Sequence, residues 1–385
     1  MAETIGMQAR RPLWRRILKG AVILLAVLVF VGGVAFGFAW MRSDNDCAKR
    51  RAAGAPHDPI QAITYCDYGT SEVLHLETIE KPVPADNQVL VRVRAASVNP
   101  LDWHFMRGTP LFMRSMSGLR RPAVTRLGVD FAGTVEAAGK DVKRFKPGDD
   151  LFGTRTGAFG QYVVVREEGA VALKPPAVSF EQAAAVPVAG ITALQALRDK
   201  GHLKAGEKVL INGASGGVGT FMVQLAKSFD AHVTGVCSGH NADLVRSLGA
   251  EKVIDYTKED FTTQDERYDL IVDNVGTRPL NEVRRALTPQ GRLVLVGGGG
   301  PNDGKWLGPM LNVLDAAILD PFVSQEVGMM MAETTPPDLA YLGDLIAQGK
   351  LTPVIDRTYP LSDLPKAMEY VEAGHAHGKV IISVE

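Results

Sequence analysis

The residues best suited to chemistry are a run of small ones. The apolar stretch Lys208–Asn212 passes into Gly213-Ala214-Ser215-Gly216-Gly217-Val218-Gly219, and a helix-forming segment follows. Counted against the pattern G-x-G-x-x-G, Ala214 takes the first glycine's place, and Gly216 and Gly219 match. A strand–turn–helix of this kind suits a phosphate group. The first N–H groups of a helix have no partner within it, and the helix dipole adds positive potential there. Gly216 has no Cβ to hold a pyrophosphate off the backbone, and Gly219 lets the helix pack closely on the strand. The seven residues Gly213, Ala214, Ser215, Gly216, Gly217, Val218 and Gly219 are therefore candidate dinucleotide contacts.

The next strand selects the nucleotide. NAD-binding folds place Asp or Glu at its end to hold the ribose 2′-hydroxyl. Here the strand His232–Cys237 ends in Ser238-Gly239-His240-Asn241, without a carboxylate, and Asp243 lies further on. Ser238 and Asn241 can donate to a 2′-phosphate, and Arg246 could add charge if it turns inward, against the usual solvated position of a helix arginine. The expected cofactor is NADPH.

Composition narrows the partners. The net charge of −1 gives no general attraction to nucleic acid. Cys47, Cys66 and Cys237 are an odd, scattered set without a CxxC pair. Neither a disulfide framework nor a cysteine zinc site is expected, which fits a reducing compartment. His57, His75 and His104 are isolated, so no metal site is expected from histidine either.

These groups need elements to position them. Residues 1–16 are basic, and residues 17–41 read as an apolar helix with one charge, Lys19, long enough to span a bilayer. Trp14 and Trp40 flank the apolar run, as an interfacial aromatic belt requires. It is longer than a signal-peptide core and lacks a good cleavage site after Trp40, so it reads as an uncleaved anchor. Arg10, Arg11, Arg15, Arg16 and Lys19 precede it, while Arg42, Lys49, Arg50 and Arg51 follow. This bias slightly favours export of the bulk of the chain, whereas a nicotinamide cofactor favours the cytoplasmic side. The cofactor argument carries more weight, so a single-pass protein with a cytoplasmic catalytic domain is expected. Residues 42–59 read as a polar linker, 60–178 as short strands broken by turns, and 179–321 as alternating strands and helices around a parallel sheet. A helix over Pro337–Gln348 and a final strand follow within 322–385.

Several motifs occur together and in order. They are Ala96-Ser97-Val98-Asn99-Pro100-Leu101-Asp102-Trp103, Gly128-Val129-Asp130-Phe131-Ala132-Gly133-Thr134-Val135, Phe145-Lys146-Pro147-Gly148-Asp149, Ala185-Val186-Pro187-Val188-Ala189-Gly190 with Ile191-Thr192-Ala193, and Leu248-Gly249-Ala250-Glu251-Lys252-Val253-Ile254-Asp255-Tyr256. With the glycine turn they resemble the medium-chain dehydrogenase/reductase superfamily, in its zinc-free quinone oxidoreductase branch. The likeness runs from Ile60 to Glu385 and is strongest to reticulon-interacting mitochondrial oxidoreductases and chloroplast-envelope homologues, groups that associate with membranes. It implies an α/β chain: a GroES-like β-rich catalytic domain, a Rossmann doubly wound parallel sheet over 179–321, and a return of 322–385 to the catalytic domain.

The resemblance also implies site roles. Zinc members carry a cysteine where Asn99 stands and a His-Glu pair where Val129-Asp130 stands, so no catalytic zinc is expected. Without a Lewis acid to hold an alkoxide, acceptors that take hydride readily are favoured, namely a quinone or an α,β-unsaturated carbonyl. Asn99 is then a candidate hydrogen-bonding group at the nicotinamide, its other reading being a turn residue before Pro100. His104 stands where a tyrosine is common and is a candidate donor to the substrate oxygen, its other reading being a surface histidine. Tyr256, Asn274, Gly297, Gly298 and Lys379 complete the candidate cofactor contacts. A homodimer is expected from the family. The segment Arg107–Arg126, basic and apolar, could touch lipid headgroups or be a plain surface loop. The other functional readings are an NAD(P)-dependent alcohol dehydrogenase-like enzyme and a non-catalytic, membrane-bound NADPH-binding module.

Overall fold

The structure of the protein, a computed structural model, describes residues 31–34, 36–38, 40–41, 45–297, 324–374 and 376–384. Its strands are β1 (Pro59–Thr64), β2 (His75–Glu80), β3 (Gln88–Val98), β4 (Asp130–Ala138), β5 (Asp150–Thr154), β6 (Tyr162–Arg166) and β7 (Val171–Leu173) in the first part. The second part holds β8 (Lys208–Asn212), β9 (His232–Cys237), β10 (Lys252–Asp255), β11 (Tyr268–Asp273), β12 (Leu287–Leu295) and β13 (Glu326–Met329), and β14 (Ile355–Pro360) and β15 (Lys379–Ser383) close the chain.

The first part is a GroES-like antiparallel body. Valines and alanines dominate β3, and most of its residues are buried because neighbours cover both faces. Its sheet runs β14-β15-β3-β4-β5-β7, with β6 also on β3. The last strand therefore returns to the first domain: β15 lies antiparallel to β3, pairing Val380 with Val98 and Ile381 with Ser97. Parallel strands then form a Rossmann-type sheet in the order β10-β9-β8-β11-β12-β13. Val209, Leu210 and Ile211 are fully buried, the continuous apolar run expected of a central parallel strand. The helix Gly217–Ser228 follows β8 and buries Phe221, Met222, Val223 and Leu225 against the core.

Two expectations need correction. First, 42–59 is not a free linker. It holds the helix Cys47–Ala52, and Cys47 is joined to Cys66 by a disulfide, so the cysteines are not all unpaired and the argument for a reducing compartment fails. Pairing requires only that the backbone bring two thiols together, which no spacing rule reveals. Second, β13 pairs in parallel with β12, so Glu326–Met329 belongs to the Rossmann sheet and the return to the catalytic domain begins later than residue 322. No helix among the described residues is long and apolar enough to cross a membrane. Residues 1–30, which carry most of the expected anchor, lie outside the described residues. The described part of 31–41 is helical, with Val31, Val34, Phe36, Phe38, Trp40 and Met41 exposed.

Candidate active site

The glycine turn leaves β8 as expected. Gly213 adopts φ +83°, open to glycine at little cost, and both Gly213 and Ala214 donate backbone N–H bonds to the Val236 carbonyl. Gly216 caps the helix Gly217–Ser228 in extended conformation. Gly216 and Gly219 differ. A Cβ at Gly219 would lie 2.1 Å from the Gly213 carbonyl oxygen, so that position is closed by the fold. A Cβ at Gly216 would meet only that same oxygen, at 3.5 Å, so the space beyond is open for a ligand. Ser215, Gly217 and Val218 line the same turn.

Strand register brings a second group to this turn. β3 pairs with β4 so that Ser97 faces Asp130, and the β15 pairing sets Lys379 beside Asn99. The resulting cluster is buried. Lys379 donates to Asn99 Oδ1 at 2.6 Å and lies 3.5 Å from Asp130 Oδ2. Asp130 also accepts from Asn99 Nδ2 at 2.9 Å, from Ser97 Oγ at 2.9 Å and from the Val188 N–H at 3.0 Å. Asp102 accepts from the Asn99 and Gly128 N–H groups at 2.8 and 3.1 Å, closing the first turn of the helix Pro100–Arg107. The Lys379 stem runs under the nucleotide turn, where a Cβ on Gly217 would sit 3.1 Å from Lys379 Cδ.

Burial sets the protonation of this cluster. It pushes Asp102 up to about 7, helped by the Asp130 charge and opposed by the two backbone donors. Burial also raises Asp130, against the Lys379 ammonium and its hydrogen bonds, and lowers Lys379, against the two carboxylates. Asn99 has its carboxamide engaged on both sides, by Lys379 and by Asp130. It also stands as N-cap of the helix, which accommodates the turn reading as well.

His104 sits apart from this cluster. Its Nδ1 pairs with the Thr109 carbonyl at 2.7 Å, and its ring stacks on Trp103 at 3.7 Å. Nδ1 is thus the donor nitrogen, which leaves Nε2 as the nitrogen able to face substrate. Burial lowers its pKa from the ordinary histidine value, so the neutral ring is favoured.

The remaining candidates surround the turn. Asn241 Nδ2 lies 3.2 Å from both Ser215 Oγ and Ser238 Oγ, tying the end of β9 to the glycine turn. Arg246 pairs with Asp243 at 2.9 Å on the surface and takes the solvated position, away from the turn. Asn274 donates to the Asn212 carbonyl at 3.0 Å, and its Oδ1 is buried without a partner, an acceptor a bound group could satisfy. Tyr256 is largely exposed beyond β10. Gly297 closes on Asn274, with a Cβ there 3.4 Å from its carbonyl oxygen, and Gly298 lies outside the described residues.

The donors at the family's metal position do not fit zinc. A carboxamide and a carboxylate stand there with a buried ammonium between them, and a cation cannot ligate a cation. Among the described residues no group of three His, Cys, Asp or Glu side chains could hold a metal ion. The positions that reading the chain alone missed are Ser97, Asp102 and Asp130. Their signal was present, since Asp130 is a charge set in the apolar run Leu127-Gly128-Val129-Asp130-Phe131-Ala132.

Known proteins resemble this chain in sequence and fold. Residues 85–176 match the alcohol dehydrogenase GroES-like domain, and residues 248–382 match the family described as zinc-binding dehydrogenase. The chain is 35% identical over 352 residues to the mitochondrial NAD(P)H oxidoreductase RTN4IP1 of Mus musculus, covering 82% of this chain and 87% of that protein. It is 35% identical over 341 residues to a 2-methylene-furan-3-one reductase of Solanum lycopersicum, covering 84% and 79%. The solved Escherichia coli quinone oxidoreductase complexed with NADPH superposes with a TM-score of 0.73 at 28% identity, covering 84% of this chain and 99% of that one. With a GroES-like body, an inserted Rossmann sheet and these matches, the chain belongs to the medium-chain dehydrogenase/reductase superfamily, among its quinone oxidoreductase-like members.

Proposed function

We propose that the chain is a membrane-anchored, NADPH-dependent reductase that delivers hydride to a quinone or an α,β-unsaturated carbonyl without zinc. The observation that carries this reading is the contact between the open glycine turn and the buried Lys379–Asn99–Asp130 cluster, which sets a nucleotide site against a preformed polar wall. The relatives support it by name: one is an NAD(P)H oxidoreductase, one reduces a 2-methylene-furan-3-one, and the solved quinone oxidoreductase holds NADPH.

The residues present fit the cofactor. The open space at Gly216 and the N-terminus of the helix Gly217–Ser228 suit a pyrophosphate, Ser238 and Asn241 suit a 2′-phosphate, and the orphaned Asn274 Oδ1 suits an amide or hydroxyl donor. When bound, NADPH supplies the hydride. The chain's own part is to orient and to manage charge. Asn99 and Lys379, their polar atoms engaged with each other and with Asp130, form a rigid buried wall against which cofactor and acceptor can be positioned. His104 Nε2 is the exchangeable position for a proton on the substrate side, protonated as pH falls.

The anchor rests on residues 17–41 of the sequence and on the exposed apolar side chains of 31–41. Dependence on NADPH supports a catalytic domain on the cytoplasmic side. One observation favours the opposite topology: the Cys47–Cys66 disulfide suits an oxidising compartment. Protease protection of the catalytic domain in intact cells, with alkylation of any free thiol at Cys47 and Cys66, separates the two.

The reaction is tested by anaerobic NADPH oxidation against a panel of quinones and enones. Turnover with at least one class is expected. Tight NADPH binding with no turnover on any acceptor would replace the enzyme with a binding module, and one stoichiometric zinc per purified chain would overturn the metal-free chemistry.

A further inference from the structure

We propose that the excursion Leu111–Val124 is a bilayer-docking face, with anionic phospholipid headgroups as its ligand and the chain leaving the anchor clamped against it. The proposal rests on the anchored reading above and goes beyond it by saying which face of the domain meets the membrane.

The composition of the excursion is one-sided. Arg114, Arg120 and Arg121 fall within Leu111–Val124, which carries no Asp or Glu, and Arg121 also pairs with Asp67 at 3.0 Å across the surface. It is built, not loose: a short 3-10 turn spans Leu111–Met113 and a helix spans Arg114–Ser117. Tyr68 donates to the Gly118 carbonyl at 2.6 Å and lies under the Arg114 guanidinium at 4.5 Å. Gly118 holds φ +111° against the Arg121 carbonyl, where a Cβ would come within 2.1 Å. Large apolar side chains nevertheless point outward. Phe112 is 38% exposed, Val124 52% and Met116 72%. Apolar side chains among arginines on a folded surface are the pattern that partitions into a headgroup layer.

The clamp says what covers this face. The exposed apolar helix of 31–41 carries Trp40 in its last described turn, and the Arg120 guanidinium lies 4.9 Å over its ring. A few residues on, Asn45 donates to the Cys66 carbonyl at 2.7 Å and Cys47 is disulfide-bonded to Cys66. Arg50 then donates to Thr125 Oγ1 at 2.6 Å, at the far end of the excursion. The chain between Trp40 and Cys47 can reach at most roughly 25 Å. A tryptophan at the end of an apolar helix marks the lipid–water boundary, so the excursion it touches lies at headgroup depth. The helix Pro100–Arg107, which begins after Asn99, runs directly into this excursion, so a lipid-soluble acceptor would arrive on the same side as the site.

The test reconstitutes the full chain in bilayers containing anionic lipid and headgroup-nitroxide lipid. A fluorophore is placed singly through Val34→Cys, Met116→Cys or Asp265→Cys, the last exposed just before β11, at the end of the Rossmann sheet away from the glycine turn. Strong quenching at 34 and 116 with little at 265 is the expected result. Quenching at 34 alone overturns the docking face and leaves the anchor standing, while quenching at none of the three overturns both. Equal quenching at 265 overturns the face as well, by showing unspecific adhesion. Arg120→Gln with Arg121→Gln should weaken the contact by about fivefold for each arginine in anionic bilayers, seen as lost quenching at 116 with quenching at 34 retained. Unchanged quenching at 116 in that variant would overturn the headgroup assignment.

Discussion

Replacing Lys379 by methionine tests the buried cluster most directly. The substitution keeps the stem's bulk and deletes one charge, leaving the fully buried Asp130 carboxylate with its three hydrogen-bond donors but no counterion. At the 3.5 Å separation seen here, and an effective dielectric of about 20, the attraction removed is roughly 5 kcal/mol. Breaking one side of a buried pair typically costs about 3–5 kcal/mol, the same range. For a chain of this size that corresponds to a fall of roughly 4–6 °C in thermal midpoint. The companion variant is Lys379→Met with Asp130→Asn, which removes both charges and should recover about half of the loss or more, since no uncompensated charge remains. Differential scanning calorimetry on the detergent-solubilised full chain reads both. A single variant that loses less than about 1 °C, or a double variant no more stable than the single one, would refute the argument that the pair is held by charge.

Three further outcomes follow from the same geometry. Gly216→Ala should weaken NADPH binding while leaving the thermal midpoint almost unchanged, because its Cβ has space in the fold but stands where the pyrophosphate must approach; Gly219→Ala should lower the midpoint instead, and titration calorimetry beside thermal scans would expose the reverse pattern. Burial raises Asp102 from the ordinary 3.8 to about 7, so its contribution to stability is full below about pH 4 and is lost as pH climbs toward 7. The wild-type midpoint should therefore fall relative to that of Asp102→Asn across that window, and parallel curves would refute the assignment. His104→Ala should lower kcat and leave NADPH affinity intact, with the wild-type kcat declining as pH rises through the lowered histidine pKa; unchanged turnover and an unchanged pH profile would remove His104 from the reaction.

The value of the buried cluster to the enzyme is positional. Asn99 begins a helix, Asp130 begins β4 and Lys379 begins β15, so three elements meet at their ends around one set of hydrogen bonds. A displacement of any of them moves the buried wall that lies under the glycine turn. Interactions shared in this way are not additive, and double-mutant cycles are the proper measure.

Much of this protein was determined by contiguous sequence. The strands Lys208–Asn212 and His232–Cys237 were readable to the residue, because buried parallel strands are apolar runs bounded by charge and glycine. The glycine turn was readable because its strand, turn and helix are neighbours in the chain. The missing acid after β9 and the apolar run of 17–41 were local facts too. What tertiary structure alone decided was partnership. Lys379 reaches Asn99 and Asp130 only because β15 returns across most of the chain to pair with β3, and no local pattern encodes that register. Cys47 finds Cys66, and Arg120 finds Trp40, only after the domain has folded around them. Local propensity is set by each residue and its neighbours. Burial of charge and pairing of distant groups are set by which surfaces the fold brings together, and that is where this site was made.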